Sequence, residues 1–189
     1  MEVIVKFYTF DGVITFPDEA PSIHSIAVQL SRECRYAGAS LYWWPVALHS
    51  FIVADLLPDH LKIHGLLHDA AEVVTGDIPK PAKTPQAEVL EQSVLEAIYR
   101  SEGLDLPTKE QAKLVKEADL RTLHGEIWTV GTESLRAIYP HDEEVEESVW
   151  HYFKLYKPND CILATGTCPN HFLHRYREYR QRWLSVKET

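Results

Sequence analysis

The residues best able to do chemistry in this chain are histidines and acidic residues within two apolar segments. His49 lies in the middle of WPVALHSFIVADLL, and His68 is followed directly by Asp69 in HLKIHGLLHDAAEVV. A lone histidine on an apolar helix is more often a hydrogen-bonded core residue than a ligand. A carboxylate on an otherwise apolar helix is costly to bury unless it meets a metal ion or another cation. The His68-Asp69 pair therefore favours a metal site.

Two imidazoles and two carboxylates drawn from separate helices would form a site with mixed nitrogen and oxygen ligands. Such a site suits manganese, cobalt, iron, nickel or zinc better than calcium. Two aspartates balance the charge of one divalent ion when the histidines are neutral. The ion can lower the pKa of a bound water and polarise a phosphoryl group at the same time. The predicted chemistry is phosphoester hydrolysis, with an additional magnesium ion on the substrate phosphates as an option.

The elements that must position these residues are mostly helices. An aromatic and β-branched hairpin is predicted over about residues 3–16, with its turn at Asp11-Gly12. Helical periodicity follows over about 23–125, including a segment from His60 to Val74 that ends at Gly76. A capping-box pattern at Thr108 and Gln111 begins the helix that contains Asp119. We expect an all-α single domain that carries a short N-terminal β-hairpin.

The last predicted helices cover about residues 140–187. One of them carries an aromatic stripe that could face the core or a partner subunit: Phe172, Tyr176, Tyr179 and Trp183. The set Cys161, Cys168, His171 and His174 has zinc-capable side chains, but its spacing matches no common structural zinc motif. We therefore expect no second metal there.

Composition limits the classes of partner. The chain has 189 residues, 45% of them hydrophobic, which suits one domain with one core. The net charge of −9 opposes binding to long polyanions, so a nucleic-acid partner is not expected. No apolar run long enough for a membrane span and no secretory signal is evident, and the three cysteines suit a reducing compartment. These features predict a cytoplasmic protein without a membrane partner.

Several segments resemble the HD-domain phosphohydrolases, whose pattern is a helical histidine, a His-Asp pair and a distant aspartate. The likeness extends over about residues 7–125, through ECRYAG, LLHDAAEVVTGDIPKPAK and KEADL. It is similar to the phage and bacterial nucleotide-hydrolase branch, which would place a phage-encoded member in the host cytoplasm. The resemblance implies an HD-domain helical bundle, a homo-oligomer, and metal ligation by His49, His68, Asp69 and Asp119.

The same resemblance implies roles for residues near the ligands. Glu72 would position or deprotonate the attacking water, and Asp77 would protonate the leaving ester oxygen. Arg35 would clamp phosphate, since a guanidinium matches phosphoryl oxygens, although a surface ion pair is the alternative. Tyr36 stands where related sequences often carry a tryptophan that holds the base.

Lys80 and Lys83 lie in the proline-rich loop GDIPKPAKTP. The prolines restrict this loop, so it would lose little conformational entropy when the lysines contact phosphate. Solvated loop charges are the alternative explanation for them. Together with Arg35, the two lysines suit the charge of a triphosphate.

The resemblance implies a small-molecule nucleotide substrate, and three functions fit. The first is a dNTP triphosphohydrolase, which includes dATP hydrolases, although the small Ala37-Gly38 pair does not match the bulky side chain expected of dATP selectivity. The second is a 5′-deoxynucleotidase that converts dNMP to deoxynucleoside and phosphate. The third is an inactive HD domain that binds nucleotide. Cyclic-dinucleotide phosphodiesterases are disfavoured, because they carry additional motifs that this sequence lacks.

Overall fold

The computed structural model describes residues 5–156 and 161–187, with the side chains of all but 156 and 161–167. Within this part the protein is mostly helical, and one antiparallel hairpin precedes the helices. The hairpin and the predominance of helix confirm the coarse prediction of the fold. No helix among the described residues is long and apolar enough to cross a bilayer.

The hairpin pairs β1 (Val5–Thr9) with β2 (Gly12–Phe16), so its two-residue turn is Phe10-Asp11. The predicted turn at Asp11-Gly12 is therefore wrong by one residue. The physical reason is that Asp11 binds the start of the next helix: its Oδ2 accepts a hydrogen bond from Ser25 Oγ at 3.0 Å. Hydrogen bonds from Ser22 and His24 lower the pKa of Asp11 to about 2. The hairpin is thus fixed to the helical part of the fold.

The helices run in the order α1 (Ile23–Leu30), α2 (Val46–Asp55), α3 (Lys62–Leu67), α4 (Glu72–Thr75), α5 (Pro85–Ser101), α6 (Lys109–Val130), α7 (Glu133–Arg136), α8 (Glu143–Tyr156) and α9 (Cys161–Lys187). Short 3-10 turns cover Arg35–Gly38, Asp59–Leu61 and Lys80–Ala82.

Helix α2 lies at the centre of the bundle, because nearly all of its residues are apolar. Its residues from Val46 to Ala54 are all buried, and it contacts α1, α3, α6, α8 and α9. This confirms the prediction of a central buried helix. The long helix α6 begins at the predicted capping box, in which the Gln111 amide donates to Thr108 Oγ1 at 3.3 Å. These two helices carry the first and last of the predicted metal ligands.

The aromatic stripe of α9 faces the core of this chain. Its four members are all buried: Phe172, Tyr176, Tyr179 and Trp183. The stripe therefore offers no surface to a partner subunit, and the predicted homo-oligomer stays a prediction without that support. Cys168 is also buried, which raises the pKa of its thiol to about 12, and His171 Nε2 accepts a hydrogen bond from Arg175. The side chain of Cys161 lies outside the described residues.

Candidate metal centre

The His68-Asp69 pair lies at a break between two helices, where the sequence predicts one continuous helix. Helix α3 ends at Leu67, and a tight turn with hydrogen bonds from residue i to i−3 leads into α4. Adjacent residues of a regular helix point about 100° apart. At this break the two side chains face each other, with Asp69 Oδ2 3.0 Å from His68 Nε2. Both groups therefore reach one point from adjacent positions of this turn.

Ligand atoms of His49, His68 and Asp119 meet at that point, and Asp69 Oδ2 lies beside both imidazoles. One ligand atom from each of His49, His68 and Asp119 lies within 4.8 Å of the others. His49 Nε2 is 3.1 Å from Asp119 Oδ1 and 3.7 Å from Asp69 Oδ2. We call these four residues the metal cluster. Among the described residues, His49, His68 and Asp119 are the group of metal-binding side chains that lie close enough together to share one ion.

The two imidazoles are held with Nε2 directed into the metal cluster. His49 Nδ1 lies 2.9 Å from Glu126 Oε1, and His68 Nδ1 lies 2.8 Å from the carbonyl oxygen of Gly65. Because these oxygens only accept, each Nδ1 carries a proton and donates it. The buried Nε2 of His68 lies 3.0 Å from Asp69 Oδ2 but does not form a well-aligned hydrogen bond with it. Two imidazoles oriented through Nδ1, with Nε2 beside carboxylate oxygens, are the donor set that a divalent transition metal takes, so the residues fit such an ion.

Glu126 is a functional residue that the sequence reasoning missed. Its fully buried carboxylate accepts hydrogen bonds from four side chains at 2.7–3.0 Å: Arg35, Tyr36, Trp44 and His49. Burial alone would raise the pKa of Glu126, but the charges of His49 and Arg35 have a larger, opposite effect, and the pKa is lowered to about 2. One signal was available, because Glu126 follows Asp119 by seven residues and so lies on the same face of α6.

The carboxylates make the electrostatic potential at the metal cluster negative. Burial and Arg35 lower the pKa of His49, but Glu126 and Asp119 raise it to about 9. Burial raises the pKa values of Asp69 and Asp119, yet the neighbouring histidines hold both well below the ordinary value. The field at this point therefore favours a cation, whether it is a proton on His49 or a metal ion.

Glu72 lies in the first turn of α4, beside the metal cluster. It is 8% exposed, and its buried Oε2 has no hydrogen-bond partner. Burial and the charges of Asp69 and Asp77 raise the pKa of Glu72 well above its ordinary value. A carboxylate of high proton affinity with an open oxygen is suited to take a proton from water.

Asp77 is held close by through the backbone. Its Oδ2 accepts a hydrogen bond from the amide of Tyr36 at 2.7 Å, and its own amide donates to Glu33 Oε1 at 3.3 Å.

Tyr36 and Ala37 have φ angles of 60° and 50°, which cost non-glycine residues about 1–3 kcal/mol each. Such strained residues cluster at functional sites, because the surrounding contacts must enforce them.

Arg35 is buried, and so is not the surface ion pair that was the alternative to a phosphate clamp. Its Nε donates to Glu126 Oε2 at 3.0 Å, and a terminal nitrogen lies 3.6 Å from Asp69 Oδ2. Lys83 forms an ion pair with Glu91 at 2.7 Å, while Lys80 is exposed. Arg35 and Lys83 are thus partly neutralised within the protein.

Two cavities meet at the metal cluster. The Arg35 cavity, of about 400 Å³, is lined by the predicted catalytic and substrate-binding residues Arg35, Tyr36, Glu72, Asp77, Lys80 and Lys83. The Tyr99 cavity, of about 460 Å³, is lined by His64, Gln92, Leu95, Tyr99, Leu106 and Val115. Lys116, Asp69 and Asp119 line both. Both volumes lie in the range of small-molecule sites.

The Tyr36 ring forms part of the wall of the Arg35 cavity. Its hydroxyl donates to Glu126 Oε2 at 2.8 Å, and the guanidinium carbon of Arg35 lies 5.3 Å from the ring centre. Burial and the charge of Glu126 raise the pKa of the Tyr36 hydroxyl well above its ordinary value. Tyr36 therefore presents a fixed, neutral ring, which is compatible with stacking on a base.

Comparison with models of known protein families finds no match to the chain. Over 84 residues the sequence is 36% identical to the uncharacterized protein YfdR of Escherichia coli strain K12. The aligned part is 43% of this chain and 47% of that protein, so the chain spans about half the length of the curated relative it matches.

Proposed function

We propose that this chain is a metal-dependent phosphohydrolase of small 2′-deoxynucleotides, built on a single HD domain. The observation that carries the proposal is the convergence of His49, His68, Asp69 and Asp119, with both imidazoles oriented by hydrogen bonds at Nδ1. These residues would hold one divalent ion, which would supply positive charge to a nucleophilic water and to the phosphoryl group.

Proton transfer and substrate binding are assigned to side chains of the protein. Glu72 takes the proton of the attacking water, because its buried oxygen is open and its proton affinity is high. Asp77 gives a proton to the ester oxygen of the leaving nucleoside. Arg35 and Lys80 contact the phosphoryl oxygens from the wall of the Arg35 cavity. The Tyr36 ring holds the base in the same cavity.

The charges in the Arg35 cavity favour a monophosphate substrate over a triphosphate. A triphosphate needs several unpaired cations, but Lys83 is paired with Glu91 and Arg35 with Glu126. Lys80, by contrast, is exposed on its loop. We therefore place 5′-deoxynucleotidase activity first and dNTP triphosphohydrolase activity second.

One assay separates these reactions. The protein is loaded with cobalt, manganese or magnesium and incubated with each dNTP, dNMP and matching ribonucleotide, and the products are separated by ion-exchange chromatography. Nucleoside and inorganic phosphate from dNMP are expected. Nucleoside and intact triphosphate from dNTP would shift the assignment to the triphosphohydrolase. Turnover of neither, with any metal, would contradict the enzymatic proposal and leave the nucleotide-binding alternative.

Two substitutions test the assigned roles. We expect Asp69→Asn to abolish metal binding and turnover, because it removes a charged ligand. We expect Glu72→Gln to retain metal binding and lose turnover, because an amide cannot take the proton of water. Glu110→Gln, an exposed position in the first turn of α6, is the matched control. Wild-type rates in Glu72→Gln would refute the role of Glu72.

A further inference from the structure

We propose that the Tyr99 cavity binds an organic group attached to the reacting phosphorus, so that phosphodiesters of 2′-deoxynucleosides are substrates. This inference rests on the proposed function, because it takes the reacting phosphorus to lie at the metal cluster. The nucleoside would occupy the Arg35 cavity, and the second organic group would extend into the Tyr99 cavity.

The first support is that the two cavities adjoin along α6, where they share Lys116 and Asp119. A single face of this helix lines both of them, at positions 112, 115, 116, 119, 123 and 127. At a rise of 1.5 Å per residue, this face extends over roughly 22 Å. Asp119, a member of the metal cluster, lies near its middle. A substrate bound at the metal cluster therefore has room on both sides.

The second support is the difference in charge between the two sides. Arg35, Lys80 and Lys83 line the Arg35 cavity alone. Among the described residues that line the Tyr99 cavity, Lys116 is the one lysine, and there is no arginine. Its Nζ lies 2.5 Å from Asp119 Oδ2, so its charge is already paired. Apolar residues form much of the wall, including Leu95, Leu106 and Val115. A polyphosphate would lose its hydration there without gaining cations, so an uncharged group fits better.

The third support is a rigid pair of buried rings at the boundary of the Tyr99 cavity. The rings of His64 and Tyr99 are nearly parallel, at 4°, with centroids 5.7 Å apart. A hydrogen bond of 3.0 Å between His64 Nδ1 and the Tyr99 hydroxyl fixes the pair. Both rings are buried, so the pair is a rigid, neutral boundary of the cavity, which suits an uncharged organic group without offering it a face to stack on.

The reaction follows the proposed mechanism. The water oxygen forms a bond to phosphorus, and Glu72 takes its proton. The bond between phosphorus and the nucleoside 5′ oxygen breaks, and that oxygen takes a proton from Asp77. The second organic group stays on the phosphorus. The products are therefore a deoxynucleoside and an organic phosphomonoester, with no oxidation or reduction.

The test compares thymidine 5′-monophosphate with its phenyl ester. We expect the wild-type protein to convert the ester to thymidine and phenyl phosphate. Ala112→Trp places a large side chain over the Tyr99 cavity from an exposed position of α6, and we expect it to lower the ratio of kcat/KM for the ester to that for the monophosphate by about tenfold or more. Leu114→Trp, an exposed position on α6 outside both cavities, is the control and should leave the ratio unchanged.

Binding gives a second readout that does not depend on turnover. Saturation-transfer NMR on the metal-free protein should detect phenyl phosphate in wild type and in Leu114→Trp, and lose it in Ala112→Trp. Hydrolysis of the monophosphate but not the ester, or no phenyl binding to wild type, overturns the inference while the proposed function stands. Failure on both substrates with phenyl binding intact refutes the proposed function instead.

Discussion

Replacing Glu126 by glutamine tests the idea that this buried carboxylate organises the metal cluster. The change keeps size and shape but removes the charge, and it turns one of the two acceptor oxygens into an NH2 donor. One oxygen accepts from Trp44 and His49, and the other from Arg35 and Tyr36. Whichever way the amide is oriented, one of these donor pairs meets another donor.

The cost can be worked from these contacts. Loss of a hydrogen bond to a charged partner costs about 1.5–3 kcal/mol, and here the partner is Arg35 or a protonated His49. For a chain of this size, each kcal/mol lowers the Tm by roughly 2–4 °C, so we expect a decrease of roughly 3–12 °C. Loss of a carboxylate that orients a ligand histidine typically weakens metal binding about 10- to 100-fold.

Cobalt titration followed by absorption, together with thermal melts, measures both quantities. Glu117→Gln is the matched control, because Glu117 lies on the same helix in an exposed pair with Lys113. We expect the control to stay near wild type. If Glu126→Gln binds cobalt as tightly as wild type while it melts lower, Glu126 stabilises the fold and does not tune the metal. If both values are unchanged, the reasoning about its charge is wrong.

Three further outcomes are expected. Gly65→Ala places a Cβ 2.9 Å from the Ala54 backbone, so it should push α3 away from α2. We expect it to lower the free energy of unfolding by about 1–3 kcal/mol and to weaken metal binding, and an unchanged melting temperature would contradict this. A saturating metal ion at 100 times its Kd should add about 2.7 kcal/mol of stability, and a chelator should reverse the shift in melting temperature. Burial and the charge of His60 lower the pKa of His64 to about 4, against 6.5 when unfolded. The unfolded chain then binds more protons between these pH values, so stability is full above pH 6.5 and falls by roughly 3 kcal/mol towards pH 4, a loss that His64→Gln should reduce in urea melts.

Much of this architecture could be predicted because it depends on local signals. Periodicity and the Thr108-Gln111 capping box placed α6, and the apolar character of WPVALHSFIVADLL placed α2 at the centre. The break at His68-Asp69 could not be predicted, because the segment from His60 to Val74 has helical periodicity throughout. Periodicity alone would continue the helix, whereas the backbone amides of Ala70 and Glu72 donate to carbonyl oxygens three residues back. The role of Glu126 was missed for a related reason, since its four donors come from segments 77–91 residues away.

The missed carboxylate also explains how the charges of the site balance. Glu126 neutralises Arg35 inside the core, so Arg35 can lie beside Asp69 without adding net positive charge to the metal cluster. That leaves the charges of Asp69 and Asp119, the second of which is paired with Lys116. A phosphoryl dianion that binds here needs cations besides Arg35, and Lys80 and Lys83 on the proline-rich loop line the same cavity. Because Lys83 must first leave Glu91, we expect Glu91→Gln to lower the KM for dNMP, and an unchanged KM would show that Lys83 does not bind phosphate.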